Sequence, residues 1–204
     1  MVWGGRNRPL LAFFLLGFVA RVSLSIWLPR GSFDMFFVMG ALAIGSGYAL
    51  ANRWALMLPV SIMIASDMFL YFFHRGSYPF SSGLLLWISF FMWTGFAMMA
   101  YIAVRARRLT IRHPSLLPIF LSTTWGVLLY DLWTNMGWWL GPFYPNTLGG
   151  LAACYSAATP FMIWHMISTL STVPLVYVAL WVSNKNKYMF WHESESSMKE
   201  PSDG

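Results

Sequence analysis

Apolar residues run along this chain in stretches of about twenty, the length that crosses a bilayer as an α-helix. Six such stretches fall at about 9–28, 33–51, 54–73, 83–104, 115–133 and 160–182. Turn formers and charges separate them: Pro29-Arg30-Gly31, Asn52-Arg53, His74-Arg75-Gly76 and the run Arg105-Ala106-Arg107-Arg108. Pro114 and Pro160 are read as helix starts, where a missing N–H costs nothing. Pro59, Pro118 and Pro174 fall inside spans, so neighbouring helices are expected to satisfy the carbonyls they free.

The pattern predicts an all-α integral membrane protein of six transmembrane helices. Residues 1–8 form a short N-terminus, 9–183 the transmembrane domain and 184–204 a polar tail read as disordered. The connection between the fifth and sixth helices is long, about 134–159. It holds Trp138-Trp139, Gly141-Pro142 and Tyr144-Pro145-Asn146, then a semi-apolar stretch from Gly149 to Ala158 too short to span. This region is expected to form an outer helical or re-entrant loop, either a functional lid or an interfacial anchor.

Composition narrows the class. Of 204 residues, 58% are hydrophobic and only 10% charged, whereas a soluble domain carries about 25%. The net charge of +6 follows from the membrane reading. With the N-terminus inside, the cytoplasmic side holds Arg6, Arg8, Arg53, Arg105, Arg107, Arg108, Arg112, Lys185, Lys187 and Lys199, against Arg30 and Arg75 outside. An even helix count makes the C-terminus cytoplasmic as well. Nucleic-acid binding is excluded, since no basic groove or stacking motif accompanies the charge. Arg6 and Arg8 before an apolar run resemble a signal peptide, but Arg21 follows and no A-x-A cleavage site is near. The single Cys154 rules out an intrachain disulfide.

Charge inside the apolar segments is the most informative feature. Of seven acidic residues, Asp34, Asp67 and Asp131 lie within or at the edge of spans, and Arg21 joins them. An ionisable group in a bilayer costs roughly 3 kcal/mol or more, so each needs a partner or a task. The topology puts Arg21, Asp67, Asp131, Asp34 and His165 in the outer half of the membrane. Helical phase groups Asp67 with Tyr71 and His74, Asp131 with Thr124 and Asn135, and His165 with Ser168, Thr169 and Thr172. Asp34, beside Ser32, suits a helix cap. The fourth helix, with no charge in its span, is read as structural or lipid-facing. On the second helix, Ala43, Gly47 and Ala51 repeat at four-residue spacing, suited to internal packing or to docking another subunit.

Two readings of the polar residues stay open: internal glue between helices, or a polar cavity facing outward. The candidate ligand-binding set is Arg21, Asp67, Tyr71, Asp131, Asn135, Tyr144, Asn146, Tyr155 and His165. In it, Arg21 would counter an anionic group, and the stretch from Tyr144 to Tyr155 would act as lid. No catalytic residue, metal ligand or cofactor is expected. The chain lacks GxxxxGK[ST], HExxH, GxSxG and Cys/His metal spacing. An intramembrane aspartyl enzyme would need Asp67 and Asp131 to share a proton, and Asp67 follows Ala65-Ser66 rather than the expected GxGD context.

From Arg21 to Trp181 the chain resembles an uncharacterised family of small prokaryotic membrane proteins. The matching pieces are Arg21, Gly40-Ala41-Leu42-Ala43 with Gly45 and Gly47, Pro59, Ser66-Asp67, Thr134-Asn135 with Trp138-Trp139, Tyr144-Pro145-Asn146-Thr147, Gly150-Leu151, Cys154-Tyr155 and Pro160-Phe161. That family is similar to the substrate-binding S components of energy-coupling factor (ECF) vitamin transporters. The resemblance implies an S-component-like bundle in a prokaryotic (inner) cell membrane that binds a small nutrient such as a vitamin. It also implies a transmembrane coupling subunit and ATPases as partners, the chain having no ATPase of its own. The Ala-x-x-x-Ala pattern by which S components dock reads Ala12, Leu16, Ala20 here, which puts docking through that face in doubt. The N-terminal Met-His of cobalt and nickel S components is absent, which argues against metal uptake.

Overall fold

The structure is a computed structural model and describes residues 8–27, 32–50, 52–73, 82–107 and 115–182. The described residues form six α-helices and no strand: α1 (Arg8–Trp27), α2 (Ser32–Ala49), α3 (Asn52–Phe73), α4 (Ser82–Ala106), α5 (Leu116–Leu140) and α6 (Leu148–Ser171). After one non-helical residue, Thr172, helix resumes through Val182. Pro174 accounts for the interruption: with no N–H it cannot bond back to Leu170, and the Thr172 N–H turns to the Thr169 carbonyl at 3.1 Å instead. Five helices are long and apolar enough to cross a membrane; α2 offers only the shorter apolar stretch Phe36–Ala49. The expected terminal segments 1–7 and 184–204, His74, Arg30, Arg75 and the Asp34 side chain lie outside what is described.

The bundle is built around α2, which packs against all five other helices. Small residues allow this. A Cβ on Gly47 would collide with that of Ala103 and lie 2.7 Å from the Ala100 carbonyl oxygen, so α2 and α4 meet backbone to backbone. One on Gly40 would lie 2.8 Å from the Thr169 side chain of α6. Gly40, Ala43 and Gly47 of the small-residue set are thus used in internal packing. Around it lies the core of Phe36, Met39, Ile44, Ile62, Phe96, Met99, Ile119 and Val127. Leu11, Phe13, Leu16 and Val19 of α1 and Leu86 and Phe90 of α4 point outward, as a lipid-facing surface requires. Pro59 inside α3 leaves the Ala55 carbonyl without its helical donor, and Ser46 of α2 donates to that oxygen at 2.9 Å. Ser122 of α5 and Tyr48 of α2 add a buried hydroxyl pair at 2.9 Å.

Of the connection expected over 134–159, the 149–158 stretch is helical, but as the first turns of α6, and 134–140 is the end of α5. α5 continues to Leu140 and α6 begins at Leu148, so only 141–147 connects them. The polar residues taken for a helix end are satisfied inside the helix. Thr134 Oγ1 donates to the Tyr130 carbonyl at 3.0 Å, and Asn135 Nδ2 to the Asp131 carbonyl at 2.8 Å. Gly141-Pro142 ends α5 instead. Thr147 then caps α6 by accepting from the Gly150 N–H at 3.1 Å, and Trp139 Nε1 donates to the Pro145 carbonyl at 3.1 Å. Pro160, read as a helix start, stands in the interior of α6.

Candidate functional site

The intramembrane charges resolve into two separate clusters. The first joins α1, α3 and α4. Arg21, only 5% exposed, donates from Nη2 to Asp67 Oδ1 at 2.5 Å and from Nη1 to Ser66 Oγ at 2.8 Å. Trp93 Nε1 donates to the other Asp67 oxygen at 2.7 Å, and Ser66 passes its own proton to the Ile62 carbonyl at 2.6 Å. Both carboxylate oxygens are therefore held, the arrangement a buried ion pair needs if attraction is to offset desolvation. Arg21 Nε alone has no partner among the described residues. Tyr71 stands one turn beyond Asp67, its ring against Phe72. The fourth helix, read as structural or lipid-facing, has a structural part here: it supplies Trp93 to this cluster.

The second cluster joins α5 and α6. Asp131 is 1% exposed, and its Oδ1 lies 2.6 Å from His165 Nδ1. Its Oδ2 is buried with no partner among the described residues. The His165 ring lies flat on Phe36 of α2, centroids 3.8 Å apart and planes within 13°. Tyr130 meets Phe36 edge-on at 4.7 Å. Against a carboxylate the His165 Nδ1–H is the donor and Oδ1 the acceptor, which leaves Oδ2 as a further acceptor.

Beside this pair is a cavity of about 410 Å³ between α2, α4, α5 and α6. Asp131, Asn135, His165 and Tyr144 line it, with Phe36, Tyr130, Trp138 and Phe161 supplying aromatic walls. Cys154 also lines it, its Sγ 3.4 Å from the Asn135 carbonyl. The cavity lies toward the end of the bundle closed by the 141–147 turn. Arg53, Arg105 and Arg107 lie at the opposite end, where the Arg107 guanidinium reaches the Leu50 carbonyl at the close of α2.

The expected site is thus divided. Asp131, Asn135, Tyr144 and His165 come together at the cavity; Arg21, Asp67 and Tyr71 do not line it. Asn146 is exposed in the turn, and Tyr155, on the second turn of α6 rather than in a lid, donates its hydroxyl to the Leu132 carbonyl at 2.7 Å. Arg21 is engaged with Asp67 and Ser66 and does not line the cavity that it was expected to serve. No hydrogen bond joins Asp67 to Asp131 among the described residues. Nor do three or more potential metal ligands gather there. Trp93 and Phe36 went unnoticed in the sequence, and Ser66 and Phe161, though part of the family resemblance, were given no place in the site. With aromatics at 19% of the chain, no pattern distinguishes a ring that lines a cavity from one that faces lipid.

A family model described as a family of unknown function (DUF6580) matches residues 6–193. The chain belongs to that family. The matched region includes both clusters and every residue of the cavity wall. No curated protein and no solved structure matches.

Proposed function

We propose that this protein is a membrane-embedded binding subunit of the S-component type, which captures a small nutrient from outside the cell for uptake. The observation that carries the reading is the cavity: a buried Asp131–His165 pair opening onto about 410 Å³ of aromatic-walled space. That volume falls within the range of small-molecule sites, about 300–1,000 Å³, and a few convergent polar groups on apolar walls are their usual lining. In this reading six helices span a prokaryotic cell membrane, with both termini cytoplasmic. The basic end of the bundle, with Arg53, Arg105 and Arg107, then faces the cytoplasm, and the cavity faces outward. The subunit is not an enzyme; a coupling subunit and ATPases energise transport.

Native mass spectrometry of the chain extracted from its own membrane tests this. The expected result is a small molecule bound to the wild type and lost from Ala157→Phe, a bulky substitution in the uncharged part of the cavity lining. A wild type that carries no adduct when gently extracted would sink the reading.

A second reading, a structural or assembly protein, draws support from the Arg21–Asp67–Ser66–Trp93 cluster, whose partners are all protein groups. It leaves the unpaired Asp131 Oδ2 without a purpose. An intramembrane aspartyl hydrolase finds less support still, because both oxygens of Asp67 are occupied by Arg21 and Trp93.

A further inference from the structure

We propose that the cavity selects a small planar cation with an N–H donor, of the aromatic amidine or protonated amino-heterocycle class. This deepens the binding-subunit reading and rests on it. Asp131 is an acid 1% exposed, with one oxygen committed to His165 and the other unpartnered at a cavity it lines. A buried carboxylate oxygen without a donor is costly, and a ligand N–H removes that cost. Among the described residues no lysine or arginine lines the cavity, so an anion there would meet the Asp131 carboxylate and, of the described lining, no counter-charge except His165, whose Nδ1 already faces Asp131. Arg21 is paired with Asp67 and does not line the cavity.

The walls agree with the floor. Phe36, Tyr130, Trp138 and Phe161 present π-systems, which attract cations and stack on flat rings. Cation and ring together favour a planar aromatic cation over an aliphatic amine, which would satisfy Oδ2 and leave the walls poorly filled.

The experiment is calorimetric titration of the purified full chain in nanodiscs with three nearly isosteric probes: benzamidine, benzamide and benzoate. Benzamidine should bind saturably, at least tenfold tighter than the other two. In Asp131→Asn, which keeps the shape and removes the charge, benzamidine should fall to within about threefold of benzamide, the residual advantage a neutral acceptor leaves. Ala157→Phe should weaken all probes without changing their order, which keeps the test decisive if Asp131→Asn does not fold. Benzoate or benzamide binding as tightly as benzamidine overturns the cation class and leaves the binding-subunit reading standing. No saturable binding of any probe also overturns the class; the binding-subunit reading falls with it only if the mass spectrum of the native protein carries no small molecule.

Discussion

Removing the charge at Asp67 strands the Arg21 guanidinium, 5% exposed, among α1, α3 and α4. Breaking a buried ion pair on one side costs about 3–5 kcal/mol, because the surviving charge stays desolvated and unpaired. Asp67→Leu also takes the acceptor from Trp93 Nε1, which holds the third helix of the cluster. For a chain of this length about 2–4 °C of melting temperature corresponds to each kcal/mol, so Asp67→Leu and Arg21→Met should each lower it by roughly 6–20 °C. The double variant Arg21→Met/Asp67→Leu removes both charges and should recover most of that loss, since apolar replacement of a whole buried pair is neutral or stabilising by about 1–4 kcal/mol. The assay is thermal unfolding in detergent, run as a double-mutant cycle. Benzamidine affinity, read on whatever fraction stays folded, should not change, as neither residue lines the cavity. Additive losses in the double variant would refute the pairing. Full stability with lost ligand binding in either single variant would refute the assignment of Arg21 to structure rather than to ligand.

Two further outcomes test the packing and the rebuilt α5–α6 connection. Gly47→Leu should destabilise by about 1–3 kcal/mol or more, since its Cβ meets the α4 backbone; Gly45→Ala, whose Cβ would find only Val176 at 4.0 Å, should be neutral or mildly stabilising in the same melt. Thr147→Ala should cost about 1 kcal/mol by uncapping α6 and should speed hydrogen exchange at the Gly150 amide; unchanged exchange there would argue for the longer loop.

Much of the architecture was legible because bilayer length is a strong filter: the starts and ends of α1 to α4 fall within two residues of the apolar runs. The α5–α6 region was misread for a local reason. Thr134, Asn135 and Gly137 look like a helix end, yet the first two bond back into the helix and Gly137 seats against the Phe91 ring. Depth and helical phase correctly made Arg21, Asp67, Asp131 and His165 residues in need of partners. They could not tell which partner, because sequence does not record how each helix is rotated about its axis. Trp93 was invisible for the same reason. An apolar-looking helix carries its indole N–H to Asp67 only because α4 packs on α3 with that face inward.

The central position of α2 bears on how the protein is made. Its apolar stretch of Phe36–Ala49 is about 21 Å of helix, short of the roughly 30 Å that lipid tails occupy. Its surface of glycine, alanine and serine gains little from lipid and much from neighbours. Of the described helices, however, only α1 is synthesised before it; the others that enclose it emerge later, and Thr169, which covers Gly40, belongs to α6. The innermost helix is therefore incompletely covered until α6 has emerged. The centre of the bundle is thus made before most of the helices that seal it.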